Sequence, residues 1–289
     1  MSNLNLSRDE QYLQAKHWRK QGHNQDLQGF DLSDRDLAIV DLAEANLIGA
    51  NFSRSILSGA NLSKARLDKV NFCEAMLEDV NLDKAQLVMA DLSASNMHEA
   101  SVLQANLIEA NLKLANLSEA MLLGSTLHQA DLRLASLYRA SLKGCDLNGA
   151  NLAGAILVET NLAGASLMGA KNVSGLNMKK AIFARATLSG LNLAGSYLGE
   201  AFLNEGDFSE ANLGGVFLGK AKLTRANLSR ANLAGAFMAG AKLNGANLSG
   251  AILRGAILAG ANLFEADLSG ANLDGVDLTD ATMPDGTKK

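Results

Sequence analysis

The chain has 289 residues with 26 Lys and Arg against 30 Asp and Glu, a net charge of −4. That balance argues against a general nucleic-acid binder, which is usually basic. One proline, 27 glycines, 4% aromatics and two cysteines exclude an ordinary aromatic-rich core and a disulfide framework alike. No stretch reaches the ~18 consecutive apolar residues of a membrane span, and the polar start MSNLNLSRDEQ is not a signal peptide, so a soluble cytoplasmic protein is expected.

At the N-terminus, Ser7-Arg8-Asp9-Glu10 has capping-box form and Gly22 is a helix stop. The spacing predicts a helix over 7–21 with an apolar face of Tyr12, Leu13, Ala15 and Trp18, within an N-terminal segment 1–24 of helix and linker. Its expected role is to lid the repeat that follows, since a repeat array must hide its end. The alternative is a partner-binding helix carrying the only tryptophan. The first small-residue positions beyond it hold Gln25, Phe30, Arg35 and Val40 rather than alanine, which suits a covered end.

From Leu27 a large apolar residue recurs every fifth position: Leu32, Leu37, Leu42, Leu47, Phe52 and on to Leu167. Two before it stands Ala, as in Ala45, Ala50 and Ala60, and between them Asn or Asp, as in Asn46, Asn51 and Asn61. A helix repeats at about 3.6 residues and a strand at about 2, so neither keeps these residues on one face. A chain that turns a corner every five residues does, and four corners close a square coil. Gly49, Gly59, Gly149, Gly154 and Gly164 fall at the corners. At roughly 4.8 Å per coil, about 13 coils would make a rod near ~60 Å.

At Ala170-Lys171-Asn172-Val173 the phase slips by one residue, a predicted bulge near 170–173 with Lys171, Leu176 and Leu191 at inward positions that depart from Ala. Past the slip, residues twenty apart isolate an anomaly in the Asn/Asp column: Asn177, Tyr197, Phe217, Phe237, Ile257, Asp277. The next side adds Ile182 and Phe202, and Ile56, Met76 and Ile156 hold the same column earlier. The ladder reads either as wall-stabilising cross-strand stacking or as the apolar centre of a protein-binding patch. Tyr197, Phe217, Phe237, Ile257 and Phe202 are the candidate partner-binding residues, with Glu200, Glu205, Lys220, Lys222, Arg225 and Lys242 as a polar rim. Met283-Pro284-Asp285-Gly286 ends the repeat, and 284–289 is expected to be a disordered tail.

The A-[D/N]-L-x-x pattern over 25–283 resembles the pentapeptide repeat family. The resemblance implies an all-β solenoid, a right-handed quadrilateral β-helix of about 13 four-sided coils, here with a short N-terminal capping helix. The tail resembles cyanobacterial members, one of which inhibits heterocyst differentiation by engaging a signalling protein, and this implies a regulatory role. Members of the fluoroquinolone-resistance branch dimerise at the C-terminal end with a terminal helix, for which this sequence shows no pattern, so a monomer and a C-terminal end-to-end homodimer both stay open.

Nothing in the sequence has the form of a catalytic motif. There is no phosphate-cradling glycine loop and no nucleophile elbow. His17, His23, His98 and His128 have no partner at metal-ligand spacing. Cys145 reads as a small core residue and Cys73 as outward. The expectation is no enzyme, no cofactor, no metal, no membrane and no direct nucleic-acid contact, but a protein-interaction scaffold with an unidentified protein partner. The alternative is a DNA mimic binding a type II topoisomerase (gyrase) through acidic clusters at Glu74, Glu78, Asp79 and Asp83 and at Glu265, Asp267, Asp274, Asp277, Asp280 and Asp285. Interleaved Lys64, Lys69, Lys84, Arg225, Arg230 and Arg254 break that negative track.

Overall fold

A computed structural model describes residues 6–18 and 26–289, so Gly22 and Gln25 lie outside the described residues. The chain forms two compact units, Met1–Asp146 and Leu147–Lys289.

Each five-residue unit is one side of a coil. Its Leu position is buried, its central residue is half-exposed, and its Ala position is buried again, as for Leu42, Asn46 and Ala45. Ala45 N–H donates to the Leu42 carbonyl at 3.1 Å, closing a turn in which Glu44 has φ 64°. A positive φ at the third residue of such a turn is the type II arrangement, for which glycine is the easy choice. More of these corners hold a side chain than hold glycine, for example Asp34, Lys64 and Glu99. The corner N–H bonds to the next coil, as Asp34 N–H does to the Ser53 carbonyl at 3.0 Å, and that inter-coil bond offsets the strain.

In Met1–Asp146 the central residues pair in isolated parallel bridges twenty residues apart, as in Asp31–Asn51, Asn51–Asn71 and Asn71–Asp91. Each side offers one ladder residue between two corners, so no extended strand forms among the described residues. The Leu and Ala columns fill the interior, with Phe52 and Phe72 stacked at 5.1 Å. Serine in an Ala position turns its hydroxyl to backbone, as Ser95 Oγ does to the Leu92 carbonyl at 2.8 Å.

Helix α1 spans Arg8–Lys16, shorter than the expected 7–21. Ser7 and Glu10 form the capping box, with Ser7 N–H donating to Glu10 Oε2 at 2.8 Å. The helix ends at His17, and Trp18 turns inward at 5% exposure. Gln11, Ala15 and Trp18 form the stripe that meets the repeat, while Leu13, expected on that face, is 52% exposed because it lies off the stripe. Gln11 Oε1 accepts the Asp31 N–H at 2.7 Å and the Tyr12 hydroxyl donates to the Asp36 carbonyl at 3.0 Å. Both are edge groups of the first coil that have no preceding coil to bond. Arg35, expected inward, instead pairs with Asp9 and lies over the Tyr12 ring at 5.4 Å.

In Leu147–Lys289 the slip is a one-residue bulge. Lys171 bridges Asn151 twenty residues back, but Ile156 pairs with Asn177, twenty-one on. The extra residue is Asn172, held at φ 57°, a conformation asparagine tolerates better than most. Its Nδ2 donates to Asn151 Oδ1 at 3.0 Å, taking the rung that Lys171 leaves empty. Lys171, expected inward, is exposed, because an unpaired ammonium is too costly to bury. Leu176 and Leu191 do fill the interior. At 284–289, expected to be a disordered tail, the chain folds back: Thr282 and Lys288 form an antiparallel bridge, and Met283 N–H donates to the Thr287 carbonyl at 2.8 Å. Gly286 at φ 86° makes that reversal possible.

Candidate interaction face

The Asn/Asp column has a structural role. Asn51 Oδ1 accepts the Ser53 N–H at 3.1 Å, and Asn51 Nδ2 donates to Asp31 Oδ1 on the coil before, also at 3.1 Å. A short carboxamide makes both bonds at once, while a carboxylate such as Asp31 only accepts, from the N–H two residues on and from the carboxamide of the next coil, which accounts for the residue choice. The same ladder runs up one side of the second unit, from Asn232 to Asn212 at 3.1 Å and from Asn212 to Asn192 at 2.9 Å.

On the adjacent side that ladder is replaced. Asn177, Tyr197, Phe217, Phe237, Ile257 and Asp277 are bridged in succession. Tyr197 and Phe217 stack with centroids 4.5 Å apart and planes 6° apart, and Phe217 and Phe237 at 4.7 Å and 8°. The column points outward, with Tyr197 at 38% exposure and Phe217 and Phe237 half-buried.

The rings are seated by two glycines that the column alone does not reveal. A Cβ on Gly199 would stand 2.9 Å from Phe217 Cε1, and one on Gly219 would stand 3.0 Å from both Phe217 Cζ and Phe237 Cε1. Their signal in the sequence is Tyr197-Leu198-Gly199 and Phe217-Leu218-Gly219, a large residue followed two places later by the smallest. Gly199, Gly219 and Ala239 line an open groove of about 250 Å³ together with the three rings, Glu200 and Lys220.

The structure thus joins Tyr197, Phe217 and Phe237 in one groove. Ile257 extends their column beyond it at 39% exposure. Phe202 lies around the corner, on a separate patch with Lys180, Glu200, Lys220 and Lys222, where the Lys222 ammonium sits 4.1 Å from its ring centroid. Of the expected rim, Glu205 is taken by Arg185 at 2.8 Å, and Glu200 is 3.9 Å from Lys179.

The acids Glu74, Glu78, Asp79 and Asp83, adjacent in sequence, are spread over successive sides by the five-residue turn. Glu78 accepts from Asn96, and Asp83 accepts the Leu103 N–H at 2.9 Å. Cys145 is buried, its thiol donating to the Leu122 carbonyl at 2.9 Å, and burial pushes its pKa up to about 11. His98 Nδ1 lies 2.9 Å from the Ser118 carbonyl. Among the described residues no group of three or more His, Cys, Asp or Glu could hold a metal ion, and no helix is long and apolar enough to cross a membrane.

No protein of curated function is matched by sequence. Among solved structures, the chain is similar to HetL, a pentapeptide repeat protein involved in heterocyst differentiation regulation from the cyanobacterium Nostoc sp. strain PCC 7120, at 28% identity over 99% of this chain and 100% of that one, with a TM-score of 0.32. QnrB1, a plasmid-mediated fluoroquinolone resistance protein, shows 20% identity over 65% of this chain and 91% of that one, TM-score 0.36. Rfr23 from the cyanobacterium Cyanothece 51142 shows 25% identity over 47% and 86%, TM-score 0.23. The family model of pentapeptide repeats, eight copies long, matches in overlapping segments from 36–72 through 135–171 and 145–183 to 241–280. A five-residue side closed by a turn, a bridged central residue and an interior of Leu and Ala are what that repeat encodes, and the chain belongs to the pentapeptide repeat family.

Proposed function

We propose that this chain is a non-catalytic scaffold that presents the Tyr197–Phe217–Phe237 face, extended by Ile257 and Phe202, to a protein partner. One observation carries the reading: three rings replace a bonded carboxamide ladder and stay half-exposed beside an open groove. Rings needed only for wall stability have no need of an open flank, whereas aromatic anchors with a polar rim are typical of contact centres. In this reading the repeat is a right-handed quadrilateral β-helix of about 13 coils, with α1 closing the first. A regulatory role, of the kind HetL has in heterocyst differentiation, is its finer form.

The DNA-mimic role is the second reading, favoured by one feature. Asp79, Glu99 and Glu119 stand at equivalent corners twenty residues apart without an intervening base. Against it, other corners alternate in sign, as in Asp34–Arg54 and Glu44–Lys64, each paired at 2.8 Å. A duplex carries about one charge per ~1.7 Å, far denser than these pairs supply.

An affinity capture from a cyanobacterial lysate, wild type beside Phe217→Asn/Phe237→Asn, tests the first reading. The expected result is a partner held by the wild type and lost by a variant of unchanged fold. Retention by both would move the contact elsewhere, and recovery of gyrase subunits would favour the mimic.

A further inference from the structure

We infer that the aromatic groove takes an acidic, extended segment of a partner protein in which carboxylates flank one apolar side chain. This rests on the contact-face reading above and assigns the chemistry of what docks there.

The rings first limit the ligand. Phe217 has one face against Tyr197 and the other against Phe237, at 4.5 and 4.7 Å. Those spacings match the coil spacing of about 4.8 Å and leave no slot for a base or a second aromatic plane. What Phe217 offers outward is its edge, and the edge of an aromatic ring is its electropositive part. A stacking platform for single-stranded nucleic acid needs free faces, and the central ring of this strip has none. Anions and apolar side chains are what a row of ring edges attracts.

The volume narrows the choice further. A groove of about 250 Å³ falls below the ~300–1,000 Å³ usual for cofactor-sized ligands but accommodates one side chain. Its lining is backbone at Gly199 and Gly219, so an extended segment can lie close along it.

Charge supplies the complement. Lys220 flanks the groove, and Lys180, Lys220 and Lys222 line the patch around the corner. Lys222 and Lys242 are bridged neighbours, like charges set side by side in a ladder where that arrangement is unfavourable. Glu200, the one acid on both patches, is shared with Lys179. Among the described residues none of Lys180, Lys220, Lys222 and Lys242 forms an ion pair. In a chain of net charge −4 this is a local surplus of positive charge beside exposed apolar edges. A carboxylate-bearing segment relieves the lysine repulsion while its apolar residue covers the rings.

The test is a fluorescence-anisotropy titration of the full chain against a labelled pentapeptide, phenylalanine flanked on each side by two glutamates. Controls replace the glutamates by serine or the phenylalanine by alanine, and a labelled oligothymidylate stands for nucleic acid. The expected result is binding at least about tenfold tighter than to any control, weakened by salt. It should be lost to a similar degree in Lys220→Glu/Lys222→Glu and in Phe217→Asn/Phe237→Asn, each with the far-ultraviolet circular dichroism of the wild type. Equal binding of the serine peptide overturns the acidic assignment and leaves the aromatic contact standing. Equal binding of the alanine peptide, unaffected by the phenylalanine substitutions, overturns the groove itself. Tighter binding of the oligonucleotide overturns the peptide assignment. No binding of any peptide overturns this inference alone, because the lysate capture judges the contact face independently.

Discussion

Gly195 and Gly199 stand four residues apart and are glycine for different reasons. Gly195 sits at φ +65° with nothing within 4 Å of where a Cβ would stand, so only its backbone asks for glycine. Gly199 has no such backbone demand, but a Cβ there would lie 2.9 Å from the Phe217 ring. Gly195→Ala should therefore cost about 1 kcal/mol of left-handed strain and leave the ring stack as it is. Gly199→Ala or Gly219→Ala must move Phe217, and the near-ultraviolet circular dichroism of the stack should change while the melting temperature falls. An unchanged aromatic signal in Gly219→Ala would show that the rings are not seated as described. The two thiols make a second contrast. Burial holds the Cys145 thiol well above its ordinary range, to about 11, while Cys73 is part-exposed. Ellman's reagent should label one thiol in the native chain and two after denaturation, and loss of the native signal in Cys73→Ser would assign it. Core leucines follow cavity energetics: Leu152→Ala should cost about 2–5 kcal/mol in chemical denaturation, since Leu152 is 1% exposed.

At the scale of the element, α1 is held by its own start and by the coil edge it covers. The Glu10 carboxyl is held below the ordinary carboxylate range, first by the Ser7 backbone N–H and then by the Ser7 hydroxyl. A lowered folded pKa contributes stability above the unfolded value of about 4.5 and loses it as pH falls through the folded value. Trp18, the only tryptophan and nearly buried at the helix end, reports this. Its emission should shift to the red as pH drops below the carboxylate range, and Ser7→Ala should produce the same shift at neutral pH. An emission blind to both would mean that the cap does not hold Trp18 in place. The start of this helix was legible because a capping box is a local code, but its end was not, because Trp18 leaves the helix to reach the interior. The repeat was legible for the same local reason: every five residues the chain makes the same turn. Columns twenty apart then placed Tyr197, Phe217, Phe237 and Ile257 in one line. The bulge was legible as a change of phase, yet that Asn172 rather than Lys171 continues the amide ladder depends on a single left-handed residue. Gly199 and Gly219 leave no mark in the column because they stand beside it and not in it.

At the scale of the whole molecule, a stacked repeat leaves each end to be satisfied by something other than the next coil. In Leu147–Lys289 the repeat breaks after Met283 and the chain reverses at Gly286, and Leu273 is 38% exposed while Leu268, Val276 and Leu278 are half-buried. The returning tail closes only part of this edge, through Lys289 N–H to the Ala281 carbonyl at 3.1 Å and Asp280 N–H to the Lys289 carbonyl at 3.2 Å. A second copy of the same end would cover the remaining leucines by a two-fold contact, but it would bring Asp274, Asp277 and Asp280 near their counterparts. The Asp277 carboxyl is held below its ordinary range by the Thr279 hydroxyl and then its backbone N–H, which favours its charged form. Self-association should thus be salt-dependent in an unusual direction: weak at about 0.05 M salt and stronger toward ~1 M, where the screening length shrinks to about 3 Å and apolar contact persists. Sedimentation velocity should show the mass rising from one chain toward two over that range. Leu273→Asp should hold the chain monomeric throughout, and a single-chain mass at every salt concentration would rule the end-to-end contact out.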